Sequence, residues 1–475
     1  MTAALLSGPN PIGQEKRKMH SVWAVARNTL AQAFRMKVAV VIIIMLLLVL
    51  PFMSMIMTGD GTLQGKLQTF ISYGLSLTSV LLCILTICVS AFTLTNDIKR
   101  KHIFLVVTKP ICRFQILCGK LLGLILLDVF LLSVFAAIIY GLTYLIPMLT
   151  DADAVELAKA QREFFTARKT LTVEVDDEQI NRRVLKDYDE LERTGQLPGT
   201  MTKRKILSTL RGQELLRQQA VEVGMKKVWE FENVPQLSEN DSLFVRYKYE
   251  VSSSTPDERV HGRWLVGDYR QAEQFGPGNW ENPVYSMNRS DVTKAFQEFE
   301  VPANAVASDG YLAVVFHNLT VNQTTVIPEE VQVLFRAGSF TGNFIRTALL
   351  ILARLIFLAV LGISVSTWLS FPVVILICIV VYSIGMVNGF IVDSFSYLEH
   401  GFSVRVYSLT LKPLMWFLPR FDGQFNPTQF MITAKLLNWQ FLAKVYGLMV
   451  FVKAAVLLLS GVWIFSNREI AKTTV

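Results

Sequence analysis

Three charged residues stand inside stretches that are otherwise apolar: Asp128, Arg354 and Lys453. An acid and two cations so placed can carry a proton relay or line a path for a polar solute, since an ionisable group costs about 3 kcal/mol at a bilayer centre and is kept there for a reason. They can equally be structural, with Asp128 and Arg354 paired to set the register of two helices. A second set is basic: Asn96, Asp97, Lys99, Arg100, Lys109, Pro110, Arg113, Gly119 and Lys120 lie between two long apolar runs. Such a segment suits a cytoplasmic partner or anionic lipid. A third set is aromatic. Trp229, Trp264, Tyr269 and Trp280 are placed to form a sugar platform, with Trp264 and Trp280 as ligand candidates, or to fill the core of a β domain.

Other chemistry is absent from the sequence. Gly8 to Gly13 is followed by Gln14 rather than the lysine of a phosphate-binding loop, and no HExxH or GxSxG appears. No catalytic residue is expected, and ATP hydrolysis would have to come from another chain. The cysteines Cys83, Cys88, Cys112, Cys118 and Cys378 fall in apolar runs or the basic segment, with no zinc-like spacing, and no metal is expected.

These residues must be positioned by membrane helices. Of 475 residues 52% are hydrophobic, and mean hydropathy is +0.40. The excess is gathered into six runs: Val38–Met57, Phe70–Leu94, Ile116–Leu145, Phe344–Trp368, Val373–Val392 and Phe441–Phe465. Twenty helical residues span about 30 Å, a bilayer core. The first run begins late and continues past any small-residue cleavage site, so a cleaved leader is not expected. Lys and Arg cluster before the first run, between the second and third, and after the last. That alternation puts both termini and the basic elbow in the cytoplasm of a cell (inner) membrane protein, with 150–340 extracytoplasmic. The parity of spans puts 394–440 outside as well, although Arg405, Lys412, Arg420 and Lys435 there outnumber Glu399 and Asp422. The net charge of +8 needs no nucleic acid, because loops facing anionic lipid account for much of it.

The expected organisation is a cytoplasmic N-terminus over 1–37, spans one to three over 38–149 with an elbow at 96–115, a helical part at 150–225, a β-sandwich at 226–340, spans four and five at 341–393, an external segment at 394–440, and span six with the C-terminus at 441–475. Met19–Lys37 reads as an amphipathic helix with Trp23, Ala26, Leu30 and Phe34 on one face and Arg27 and Arg35 toward another. It can lie in the headgroup plane or extend the first span. Ile180, Val184, Tyr188 and Leu191 are spaced as on a helix, and a second helix is expected over about 203–221 beyond the break at Leu197-Pro198-Gly199. Together these suggest a stalk. From about Lys226 the period becomes two: Leu243, Val245, Tyr247, Tyr249 and Val251 alternate with Arg246, Lys248 and Glu250, and strands are expected near 228–231, 262–266, 311–316 and 331–335. An antiparallel sandwich, jelly-roll-like, follows. Asn240, Asn288, Asn318 and Asn322 each open an N-x-S/T sequon.

The words Thr108-Lys109-Pro110-Ile111-Cys112-Arg113-Phe114 and Gly119-Lys120-Leu121-Leu122-Gly123 resemble the corresponding loop of type-2 ATP-binding-cassette (ABC) exporter permeases. The helix SVWAVARNTLAQAFRMK before the first span, the segment LKPLMWFLPRFDGQFNP before the last, and the closing Phe465-Ser466-Asn467-Arg468-Glu469-Ile470 are similar to that family's too. The resemblance covers roughly 15–146 and 340–472. It implies a transmembrane subunit that pairs with a second permease subunit and docks a separate ATPase, which holds ATP and Mg, against the elbow through Asn96, Asp97, Lys99, Arg100 and Arg113. Two other roles fit the sequence: a mechanical transmitter acting on an envelope partner, and an ion-coupled carrier built on Asp128. The carrier would carry an inverted repeat, which the sequence does not show.

Overall fold

In the computed structural model each of the apolar runs forms a helix. The structure describes residues 11–99, 112–150, 152–173, 177–197, 203–238, 241–253, 255, 257–271, 283–396 and 407–467. Six of its helices are long and apolar enough to cross a membrane. They are α2 (Lys37–Ile56), α3 (Leu63–Lys99), α4 (Arg113–Leu149), α8 (Phe340–Val365), α9 (Phe371–Ser396) and α12 (Trp439–Asn467). Ahead of them lies α1 (Pro11–Phe34). The chain divides into two compact units, the helical one and a β unit over Ala167–Gly338.

The helical unit is built around α8, whose apolar stretch is enclosed over most of its length, whereas α2, α9 and α12 keep most of theirs open. Ser339 starts α8 by accepting from the Gly342 amide at 3.2 Å, which satisfies one of the free N–H groups of the first turn. Helices α3 and α4 have 37 residues each, about 55 Å, and exceed a bilayer core at one end or both. The last span is not uniform: between α-helical Trp439–Val445 and Ala455–Asn467, the nine residues Tyr446–Ala454 are π-helical.

Helix α1 departs from both expectations. It is no extension of the first span, because Met36 is extended (φ −73°, ψ 126°) and breaks the helix. Nor does it cross the bundle: it packs lengthwise on α4, with Val22 and Val25 at Gly119, Ala26 and Thr29 at Gly123, and Phe34 edge-on to Phe130. From residue 22 to 34 it advances about 18 Å, and α4 advances about 16 Å from 119 to 130, so the two axes run nearly parallel. Ala26, Thr29 and Ala33 make the buried face, leaving Trp23, Arg27, Phe34 and Arg35 exposed.

The segment before the last span is more than a surface loop. Helices α10 (Lys412–Phe417) and α11 (Pro427–Ile432) form a hairpin whose tip is packed among the spans. The Phe421 amide donates to Gly385 O, and Phe421 is buried beside Arg354. Arg354 lies fourteen residues into α8, about 21 Å. The hairpin therefore re-enters the bundle to about half its depth. Ser394 to Tyr407 includes 397–406, which lie outside the described residues.

The β unit holds two four-stranded sheets in the orders β1-β8-β3-β6 and β2-β7-β4-β5. The strands are β1 (Thr166–Thr172), β2 (Lys226–Phe231), β3 (Ser242–Val251), β4 (Arg259–Gly267), β5 (Tyr285–Val292), β6 (Phe296–Pro302), β7 (Leu312–Asn318) and β8 (Val326–Ser339). Val245, Tyr247 and Tyr249 of one sheet and Trp264, Val314 and Phe316 of the other share one core, so the sheets pack face to face. The sandwich begins earlier than expected. After the short α5 (Ala154–Glu163) the chain enters β1, and only then forms the hairpin of α6 (Asp177–Arg193) and α7 (Lys203–Gln219). The helical hairpin of the stalk expected at 150–225 is thus an insertion between β1 and β2.

Candidate functional site

Around the elbow, three of the predicted charges are used inside the protein. Lys120 is buried, donates to Thr93 O at 2.9 Å and meets Asp97 Oδ2 at 2.5 Å. This bridge ties the end of α3 to the first turns of α4. Arg113 donates to Phe465 O at 2.8 Å and Ser466 O at 2.7 Å, so it caps the carbonyl end of α12. Gly119 is a packing residue: a Cβ there would stand 2.7 Å from Val25 Cβ and 2.9 Å from Val22 O. Gly123 lets α1 approach in the same way, with Ala26 O 2.5 Å from the Cβ position. Of the remaining elbow candidates, Lys99 is exposed and Asn96 half-buried. Arg100, Lys109 and Pro110 lie outside the described residues, as does the Arg468-Glu469 word.

Deeper in the bundle, the structure does not make the expected Asp128–Arg354 pair. Asp128 is fully enclosed, with Oδ1 at 2.8 Å from the Thr86 hydroxyl and Oδ2 without a partner among the described residues. Arg354 donates to Ser79 Oγ at 3.3 Å and Phe421 O at 3.2 Å, with its guanidinium 4.7 Å from the Phe421 ring. Lys453 donates to Leu418 O at 2.8 Å. Both cations thus hold the tip of the re-entrant hairpin. Asn388 adds bonds to Met415 O and Pro419 O; beyond the tip, Asn343 donates to Lys435 O, Gln68 to Ile432 O, and Arg346, a charge near the outer end of its span, to Leu437 O. Irregular backbone at this depth is stable only if its polar groups find protein partners. The signal was present, as amides inside apolar runs are rare.

Between α4 and α8 lies a groove of about 430 Å³ lined by Val129, Leu132, Ala136, Phe344, Ala348 and Leu352 among others. Its wall is apolar, with Ser133, Tyr140 and Thr341 as the polar exceptions.

Of the four platform aromatics, Trp264 and Trp229 belong to the core. Trp264 is fully buried, donates from Nε1 to the Tyr249 hydroxyl at 2.9 Å, and packs 4.4 Å from the Tyr247 ring centroid. It has no face to offer a ligand. Trp229 stacks on it in the same core, and Trp280 lies outside the described residues. Beside them Tyr247 donates to Asp291 at 2.5 Å, and Arg289 grips that carboxylate with two bonds of 2.9 Å. Burial, then Asp291, pushes the Tyr247 phenol well above its usual range. Two sequon asparagines are structural as well. Asn318 and Asn322 are buried, bonded to each other and to the carbonyls of Val221, Thr324 and His261.

Protein-family models, curated protein sequences and solved structures give no match to this chain.

Proposed function

We propose that the chain is the transmembrane subunit of an ABC-type exporter, worked by a separate cytoplasmic ATPase and paired with a second permease subunit. The observation that carries this reading is the elbow end of the bundle. Four helices meet there: the tied ends of α3 and α4 through Lys120–Asp97, the end of α12 held by Arg113, and α1 seated on Gly119 and Gly123. A push on the elbow would therefore reach α1, α3, α4 and α12 together. Such mechanical continuity is what ATP-driven closure of a docked partner requires. The exposed Lys99, with Arg100 and Lys109, supplies the charge for docking. In this reading ATP and Mg belong to the partner, and the β unit, which we read as a jelly roll from its 1-8-3-6 and 2-7-4-5 orders, handles cargo or an envelope partner.

The transmitter role is the second reading, and one observation favours it. Asp128, Arg354 and Lys453 are engaged in packing, and the groove between α4 and α8 is apolar. These leave a polar cargo poorly served, so the exporter reading narrows to apolar or amphiphilic cargo.

The test is co-purification with the full chain as bait, comparing it with a Lys99→Glu/Arg100→Glu variant that elutes as a single folded species. An ATPase captured by the native elbow and lost from the variant is the expected result. No ATPase with either bait, under conditions that preserve other membrane complexes, would sink both readings.

A further inference from the structure

We infer that the cavity between the hairpin tip and the last span binds the headgroup of an anionic phospholipid. It measures about 190 Å³ and is walled by Arg420, Phe425, Phe441, Lys444, Leu448 and Lys453 among others. Three of these are cationic. Asp422 balances Arg420, accepting from its Nε at 3.1 Å and from the Phe390 amide at 3.2 Å, which leaves Lys444 and Lys453 without an acid on the cavity wall. Lys444 has no hydrogen bond or ion pair among the described residues, and Lys453 has a single one, to Leu418 O. Lys453 also lies over the Trp416 ring at 5.7 Å, and Lys444 is exposed. Along α12 these lysines stand nine residues apart, about 14 Å, and the apolar Val445, Leu448 and Met449 lie between them on the cavity wall.

Size and chemistry together select the occupant. The space is below the ~300 Å³ at which drug-sized sites begin. That is too small for an oligosaccharide, and it fits one phosphate with the first carbons attached to it. The apolar wall between the cations suits an acyl chain leaving along α12. An anion would pair with the exposed Lys444 at the cavity mouth, and the buried Lys453 adds a second positive charge at its other end. The site is distinct from the α4–α8 groove and independent of any ATPase.

Native mass spectrometry of the full chain tests this, with phosphatidylglycerol and phosphatidylcholine offered in equal amounts. One phosphatidylglycerol retained per chain is expected, with retention about tenfold weaker in Lys444→Gln, which breaks no bond of the fold. Equal retention of both lipids, or unchanged retention in Lys444→Gln, overturns the inference. So does displacement of the lipid by inorganic phosphate alone, which would make this a small-anion site.

Discussion

The two units treat buried charge in opposite ways. In the β unit charges meet charges: Glu298 is shared by Arg168 and Arg246, and Asp291 by Arg289 and Tyr247. In the membrane bundle, Arg354, Lys453 and Arg113 donate instead to backbone carbonyls, and Asp128 meets a hydroxyl. Lys120–Asp97, near the elbow end, is the exception among the enclosed charges, and the more exposed Arg420–Asp422 pair of the hairpin is a second ion pair. The difference teaches what each region needs. A sandwich pairs its own backbone within its sheets, so side-chain charges are free to fasten neighbouring strands. The bundle contains a hairpin that cannot pair its own carbonyls, and charged side chains are spent on them.

That contrast predicts an order of mutational damage. Removing Glu298 leaves Arg168, which is buried, and Arg246 as uncompensated cations. Glu298→Ala should destabilise the β unit by about 3–5 kcal/mol, read from denaturant unfolding followed by tryptophan fluorescence. Arg354→Met removes the charge itself and leaves mainly the dipole of Phe421 C=O behind. The expected loss is about 1–3 kcal/mol, seen as a lower melting temperature in detergent and faster exchange of the hairpin amides. If Arg354→Met proves the more damaging, the contrast fails.

Two smaller effects sharpen it. Gly119→Leu overpacks the α1 seat and should cost about 1–3 kcal/mol, exposing α1 to protease, while Gly141→Leu, where a Cβ would meet nothing within 4 Å, should be silent. In the β unit, Lys227 donates to Gln218 O and burial lowers its pKa to about 8. A lysine whose folded pKa lies below the unfolded value of about 10.4 favours folding only as it loses its proton. Its burial penalty is full below pH 8 and is relieved as pH rises toward 10. Thermal unfolding between those values should show a gain in stability that Lys227→Met abolishes.

Long apolar runs and alternating strands were legible because their signal repeats over many residues. The strands β2, β3, β4, β7 and β8 were anticipated, whereas β1, β5 and β6 were not. Each of the three lies at a sheet edge, where one side faces no neighbour and selection for apolar alternation is weaker. β5, with YSMNRSDV, is mostly polar. The depth of the hairpin was hidden for another reason: hydropathy sees composition, and it cannot see that Arg354, Asn388 and Lys453 are donors waiting for carbonyls from a segment some thirty to seventy residues away in sequence. At the elbow, residues 119 and 120 were legible as a motif but not as what they do, since a lysine that bridges inward and a lysine that docks outward are the same letter.

The π-helical stretch Tyr446–Ala454 gives the last span a property that none of its neighbours described as α-helical throughout has. A π turn takes up more residues than an α turn, with bonds from i to i+5, so the side-chain stripes above and below it are out of phase. The upper stripe, with Phe441 and Lys444, is aimed at the hairpin; the lower one, with Gly461 against Ser364 and Phe465 under Arg113, is aimed at α8 and α4. One continuous helix thereby serves two different sets of neighbours. Sliding the π turn by a few residues would re-aim the segment it passes through while leaving both ends anchored, a gear change inside a single rod.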